Sequence, residues 1–85
     1  MREFTYTVKD ELGLHARPAG MLVKRAASYQ SNIQIWKGEA SAQAKRLFGV
    51  MGLNVKQGDA IRFTLEGADE ETACTELEAF CQENF

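Results

Sequence analysis

A chain of 85 residues, 45% apolar and 26% charged, has room for one core and the composition of a folded protein rather than a disordered one. No run of about eighteen apolar residues occurs, so a transmembrane helix is excluded. Ten basic against twelve acidic residues, a net charge of −2, argue against a general nucleic-acid binder. Residues 1–85 are read as a single domain. The start, Met1-Arg2-Glu3-Phe4-Thr5-Tyr6, lacks the apolar stretch and cleavage site of a signal peptide, so the expected location is the cytoplasm.

Phe4, Tyr6 and Val8 alternate with Thr5 and Thr7, the pattern of a half-buried strand. Asp10 to Leu14 is a loop containing Gly13. From Ala16 to about Tyr29, the residues Ala19, Leu22, Ala26 and Tyr29 recur at helical spacing, with Lys24 and Arg25 off that face. Ile33 and Ile35 around Gln34 mark a second strand, Lys37-Gly38 a hairpin turn, and Ala40 to Gln43 a short third strand. Arg46 to Leu53 reads as a short, weak helix holding two glycines, Gly49 and Gly52. Gln57-Gly58-Asp59 turns the chain into a clear strand, in which Ile61, Phe63 and Leu65 alternate with Arg62 and Thr64. Gly67 and Asp69 open the last helix, with Asp69 as N-cap and Glu70 and Glu71 suited to the positive end of the dipole. Its apolar stripe is expected to be Ala73, Leu77 and Phe80. Cys74 and Cys81 share that helix, and seven residues of helix separate their Cα atoms by roughly 10 Å, too far for a disulfide. They are expected to be packing or surface thiols.

The order strand-helix-strand-strand-helix-strand-helix, with one apolar face per strand, predicts an α+β fold. A single mainly antiparallel sheet carries the helices on one side and water on the other. The strand order stays open at this level.

The chemistry concentrates in Gly13-Leu14-His15-Ala16-Arg17-Pro18-Ala19. His15 is the only histidine and falls where a loop meets an amphipathic helix. Pro18 supports that placement, because proline is tolerated in the first turn and fixes a helical φ there. Free N–H groups and the helix dipole give this end a positive potential. That potential favours the neutral ring, whose nitrogen lone pair is a nucleophile, and it stabilises an anion once the ring carries one. Arg17 adds a full positive charge and a planar fork of donors. On these residues alone, a reactive histidine and a surface or capping histidine are equally open. No second histidine or acidic cluster completes a self-contained active site, so any phosphoryl transfer needs groups from a partner.

The same seven residues resemble the phosphorylation-site motif of the HPr family, the phosphocarriers of the bacterial phosphoenolpyruvate:sugar phosphotransferase system. Ala44-Lys45-Arg46-Leu47-Phe48-Gly49-Val50-Met51-Gly52-Leu53 is similar to the family segment that holds a short second helix and a regulatory position. Gly58 with the strand after it, and Gly67-Ala68-Asp69-Glu70, fall in register, so the resemblance spans the chain without gaps. It implies an open-faced β-sandwich of four antiparallel strands with three helices on one face. It implies phosphorylation of His15 on Nδ1 by enzyme I, which draws on phosphoenolpyruvate, and transfer to a histidine of an enzyme IIA domain and onward to incoming sugar. Arg17 and the backbone N–H groups of Ala16 and Arg17 would stabilise the phosphoryl group. The chain would be a carrier and a substrate rather than an enzyme, monomeric, with no cofactor, no metal and no membrane insertion.

For the partner surface the resemblance implies Gly20, Lys24, Arg46, Leu47, Phe48 and Met51. Leu47, Phe48 and Met51 would form a small apolar patch ringed by Lys24, Lys45 and Arg46, suited to brief docking on acidic partners, with Val50 and Leu53 in the core. One departure stands out. Many Gram-positive members carry a kinase-targeted serine where this chain has Arg46, so serine-based regulation is not expected, and the nearest upstream hydroxyl, Ser41, is expected in a strand. Alternative readings within the same fold are a nitrogen-type regulatory paralogue in a phosphorelay and a module that binds a transcription regulator. A generic small ligand-binding domain is disfavoured by the lack of a glycine-rich phosphate loop or metal cluster.

Overall fold

A computed structural model describes residues 1–85. The elements are β1 (Arg2–Thr7), α1 (Ala16–Ala27), β2 (Asn32–Lys37), β3 (Ala40–Gln43), α2 (Leu47–Gly52), β4 (Ala60–Glu66) and α3 (Glu70–Asn84). The strands form one antiparallel sheet in the order β1-β4-β2-β3, which settles what the sequence pattern left open. β4 takes a central place because its apolar residues are matched on both sides. Phe63 lies opposite Phe4 of β1 and Ile35 of β2, and the Phe4 and Phe63 rings stack at 4.8 Å. Alternation puts Phe4, Tyr6, Ile33, Ile35, Ile61, Phe63 and Leu65 on the buried face, against Leu22 and Ala26 of α1, Val50 of α2 and Leu77 of α3. The opposite face carries Glu3, Gln34, Trp36, Arg62 and Thr64 and has no helix over it, so the fold is the expected open-faced β-sandwich.

Three local expectations shift. Helix α1 ends at Ala27, two residues before Tyr29, because the Ser28 hydroxyl takes the Arg25 carbonyl at 2.6 Å as the chain turns toward β2. Tyr29 is buried all the same, and its hydroxyl donates to Glu76 of α3 at 2.7 Å. In α3 the buried row is Ala73, Leu77 and Cys81, an unbroken i, i+4 series. Phe80 is only half-buried, edge-on to Phe85 with Arg25 over its ring. Both cysteines are free, and burial pushes the Cys81 thiol up to about 12.

The third shift concerns Asp69. It occupies the N-cap position of α3, as its residue type suggests, but its side chain makes no bond to its own helix. The carboxylate instead accepts the backbone N–H groups of Gln30 and Ser31, each at 2.8 Å, and the hydroxyl of the fully buried Ser31. Glu70, the first residue of α3, accepts the Gly67 N–H at 3.2 Å and so ties the turn before the helix. Gly67 has φ +156 and approaches Ser31 so closely that a Cβ would lie 2.7 Å from the Ser31 Cα. Asp69 thus joins the α1–β2 connection to the β4–α3 connection.

The Ser31 hydroxyl first, then the Gln30 N–H, hold the Asp69 carboxyl below the usual aspartate range. A depressed native value confers stability that is present above the unfolded-state pKa and lost as pH falls through the folded one. Asp69→Ala therefore lowers the urea midpoint at neutral pH, and its gap to the natural chain narrows below about pH 4. Paired urea titrations at about pH 7 and about pH 3 check this; a gap of equal size at both counts against the clamp.

Candidate functional site

His15 is the N-cap of α1, with extended backbone at φ −75 and ψ −173 and no capping bond from its ring. Its carbonyl accepts the Ala19 N–H at 2.9 Å, the first bond of the helix. The N–H groups of Ala16 and Arg17 come before that bond and have no helical partner, and Pro18 has none to offer. Pro18 and Ala19 are buried, whereas the imidazole is half-exposed and makes no hydrogen bond within the chain. Arg17 is exposed, forms no salt bridge, and faces no acidic residue in the first turn. A half-exposed imidazole, two uncommitted amides and a free guanidinium belong to one helix start. That combination suits reversible attachment of an anionic group.

The loop before His15 is fixed by its backbone. The Leu14 N–H donates to the Val55 carbonyl at 3.0 Å, the Gly13 N–H to the Asp10 carbonyl at 3.0 Å, and the Leu14 side chain is buried. Gly13 has φ +65, and a Cβ there would lie 2.3 Å from the Val55 oxygen and 2.7 Å from the Lys56 Cα. Only glycine fits.

Helix α2 has Arg46 as its N-cap, with extended backbone (φ −116, ψ 114) that suits the position but a side chain that makes no capping bond. Val50 is fully buried and Leu53 packs on the core, as expected. Phe48 is 86% exposed, and Leu47 and Met51 are more than one-third exposed, so the predicted apolar patch stands in solvent. Met51 shares with His15 an open groove of about 430 Å³, together with Glu11, Leu12, Leu14, Asn54, Val55 and Lys56. Gly20 is half-exposed on α1, with nothing within 4 Å of where a Cβ would be. Lys24 is exposed and unpaired, and lines a different hollow with Met21, Arg25, Ser28 and Phe80.

Lys45 departs from the expected ring of cations. Its ammonium donates to the Tyr29 carbonyl at 2.8 Å and is half-buried, so it closes the chain just after α1. Leu12 and Met21 were missed as surface residues. Each is a large apolar side chain in the open, and only the folded arrangement reveals that. Ser41 lies exposed in β3, as expected.

An open-faced β-sandwich that presents its one histidine at a helix start is the build of a small phosphocarrier. Residues 2–83 match the family model described as the PTS HPr component phosphorylation site. The phosphocarrier protein HPr of Lysinibacillus sphaericus is 44% identical over 73 residues, covering 86% of this chain and 83% of that protein. A multiphosphoryl transfer protein of Vibrio cholerae is 41% identical over 86% of this chain, a match that spans 19% of its own length. The crystal structure of an HPr from Thermoanaerobacter tengcongensis superposes with a TM-score of 0.94 at 38% identity, covering 100% of this chain and 96% of that one. The chain belongs to the HPr family of phosphocarrier proteins of the phosphotransferase system.

The exposure of Phe48 has a measurable consequence. Phe48→Ala costs less than about 0.5 kcal/mol, the range of a surface change. Phe63→Ala, at the centre of the sheet, costs about 3–5 kcal/mol. Urea denaturation of the two variants side by side checks the contrast; similar losses would place Phe48 in the core.

Proposed function

We propose that His15 accepts a phosphoryl group on Nδ1 from enzyme I, charged by phosphoenolpyruvate, and passes it to a histidine of an enzyme IIA domain. The observation that carries this reading is the half-exposed His15 ring at the α1 N-cap, free of internal hydrogen bonds and beside the uncommitted amides of Ala16 and Arg17. In each step a P–N bond forms on the accepting imidazole as the donor's bond to phosphorus breaks, so the phosphoryl group moves without net hydrolysis. The transferring oxygens collect negative charge, and the helix start and the Arg17 guanidinium stabilise it. In this reading the chain is the substrate of enzyme I rather than an enzyme, and the partner supplies the other groups that the transfer needs. The Vibrio cholerae relative, named for multiphosphoryl transfer, holds the matching stretch within a much longer chain, which favours a carrier that works beside other phosphoryl-handling parts.

Partners dock on the apolar patch of Leu47, Phe48 and Met51, with Gly20 and Lys24 along α1 and Arg46 at its rim. Such a patch is small and suits a short-lived complex, as a carrier requires. Arg46 replaces the hydroxyl that a serine kinase would need and adds a positive charge beside Phe48, so encounter with acidic partners is the property it tunes. The proposed location is the cytoplasm; no helix is long and apolar enough to cross a membrane.

His15→Ala folds with an unchanged melting temperature and gains no acid-labile phosphate when incubated with enzyme I and phosphoenolpyruvate. Intact mass before and after acid treatment reads this directly. An acid-labile phosphate on that variant would falsify the assignment.

Arg46→Ser has two expected effects. It supplies the missing cap of α2 and stabilises the fold by about 0.5–1 kcal/mol. It also slows association with enzyme I at low ionic strength, and the difference shrinks as salt rises. Stopped-flow association rates across a salt series test the second effect; rates indifferent to both salt and residue 46 refute it.

A further inference from the structure

We propose that Lys37 is a positioning residue for the His15 site, acting through its simultaneous hold on the Asn54 carbonyl and the Asp59 carboxylate. The inference rests on the carrier role proposed for His15.

Lys37 is the last residue of β2 and has the same parity as Ile33 and Ile35, so it projects to the helix-covered side of the sheet. At the end of the strand the core gives way to the connection between α2 and β4. There the ammonium donates to the Asn54 carbonyl at 2.8 Å and pairs with Asp59 Oδ2 at 3.1 Å. The same Oδ2 accepts the Lys56 N–H at 2.9 Å. These contacts hold the Asp59 carboxyl below the usual carboxylate range, through the Lys56 N–H first and Lys37 second.

Asn54 is the one non-glycine residue with left-handed backbone, φ +53, and its N–H bonds the Met51 carbonyl just past α2. A cation on a carbonyl at a helix C-terminus is favourable, and here it also holds a strained residue in place. Val55 follows directly. Its carbonyl takes the Leu14 N–H, and its backbone with that of Lys56 is the surface on which Gly13 lies. His15 is the next residue after Leu14. The route from Lys37 to His15 is therefore three steps of direct contact: ammonium to Asn54, Val55 to Leu14, Leu14 to His15. The far end of the segment has separate support, since the Gly58 N–H donates to Val8 and the Val8 N–H to Asp59. Lys37 governs the Asn54 end, which faces the His15 groove.

Lys37→Met removes the charge and both bonds and keeps most of the stem. It is expected to move the amide resonances of Gly13, Leu14 and Val55 and the ring signal of His15. It is also expected to slow phosphoryl uptake from enzyme I by about three- to tenfold, since misplacement of a reacting group costs rate steeply. Lys37→Arg, which can reach the same two oxygens, restores uptake to within about twofold. Arg62→Met is the control for general loss of stability, because it breaks a Glu3 ion pair on the open face of the sheet. Should Lys37→Met fold poorly, Asp59→Asn breaks the charge pair and leaves the Asn54 bond, and is expected to shift the same signals by less. An unmoved His15 signal, an unchanged uptake rate, or an equal slowing by Arg62→Met overturns the proposal. Phosphate mapping on the natural chain separates the two readings. Phosphate away from His15 removes the carrier assignment, whereas phosphate on His15 with natural rates in Lys37→Met removes only the role of Lys37.

Discussion

The approach of Gly13 to the backbone of Val55 and Lys56 decides where the first helix begins and what it displays. Two connections that carry little secondary structure of their own meet there at a distance that leaves no room for a side chain. The positive φ of Gly13 turns the chain so that Leu14 enters the core and bonds the Val55 carbonyl. The following residue must then emerge at the surface at the moment the helix starts. His15 is half-exposed for that reason, and its amide neighbours are uncommitted because they precede the first helical bond. The exposure of His15 beside uncommitted amides is thus a consequence of a backbone contact rather than of any side chain that touches the ring.

The two helices beside this contact are built to different standards. Helix α1 is fixed at both ends, by Gly13 and Leu14 at its start. Past its end, Tyr29 bonds Glu76, Lys45 closes the Tyr29 carbonyl, and Asp69 holds Gln30 and Ser31. Helix α2 has six residues, two of them glycine, and no side-chain cap. Val50 is its one fully buried residue, while Phe48 stands in water. Few buried contacts and a poor cap put α2 at the low end of local stability. A rigid helix thus presents His15 at a set position, and the helix next to it is the softer of the two.

What the sequence made legible follows from the range of each interaction. Strands were readable from alternation because each needs one face buried, and Phe4, Tyr6, Ile33, Ile35, Ile61, Phe63 and Leu65 all lie where their parity puts them. His15 stood out because it is single and followed by Pro18. The residues misread are those whose side chains choose between a local and a distant partner. Asp69 has the chemistry of a cap for α3, yet bonds a loop 38 residues earlier, where two amides and a buried hydroxyl offer more than one helix end. Lys45 has the chemistry of a surface charge, yet the Tyr29 carbonyl holds it. Lys37 opens the hairpin turn as expected, and its parity with Ile35 also places it on the helix side of the sheet. Cys81 displaced Phe80 from the stripe because the i+4 row from Ala73 through Leu77 is straight, and helical period alone allows either. Neither the strand order nor the pairing of α1 with α2 has a local signature, since both arise from which apolar faces fit together.

The net charge of −2 conceals a division that bears on how a carrier lets go. Helix α3 holds Glu70, Glu71, Glu76, Glu78 and Glu83 and no basic residue. Arg17, Lys24 and Arg46 are all exposed and free of salt bridges on or beside the two helices that form the site. An acidic partner is therefore steered toward α1 and α2 and away from α3. A phosphoryl group carries about −1.5 to −2 at neutral pH, enough to cancel about half to two-thirds of the charge of those three cations. The loaded and empty forms of the site then differ in their attraction for the same acidic surface by a large part of its electrostatic component. On the proposed carrier role, an enzyme that has just loaded the site would hold it less tightly than before, and one that has just unloaded it would face the more strongly attracted form. Arg46 raises the charge of both forms. On the same proposal it would add to the encounter rate with acidic partners in general and leave discrimination between donor and acceptor to the exposed apolar side chains around Phe48.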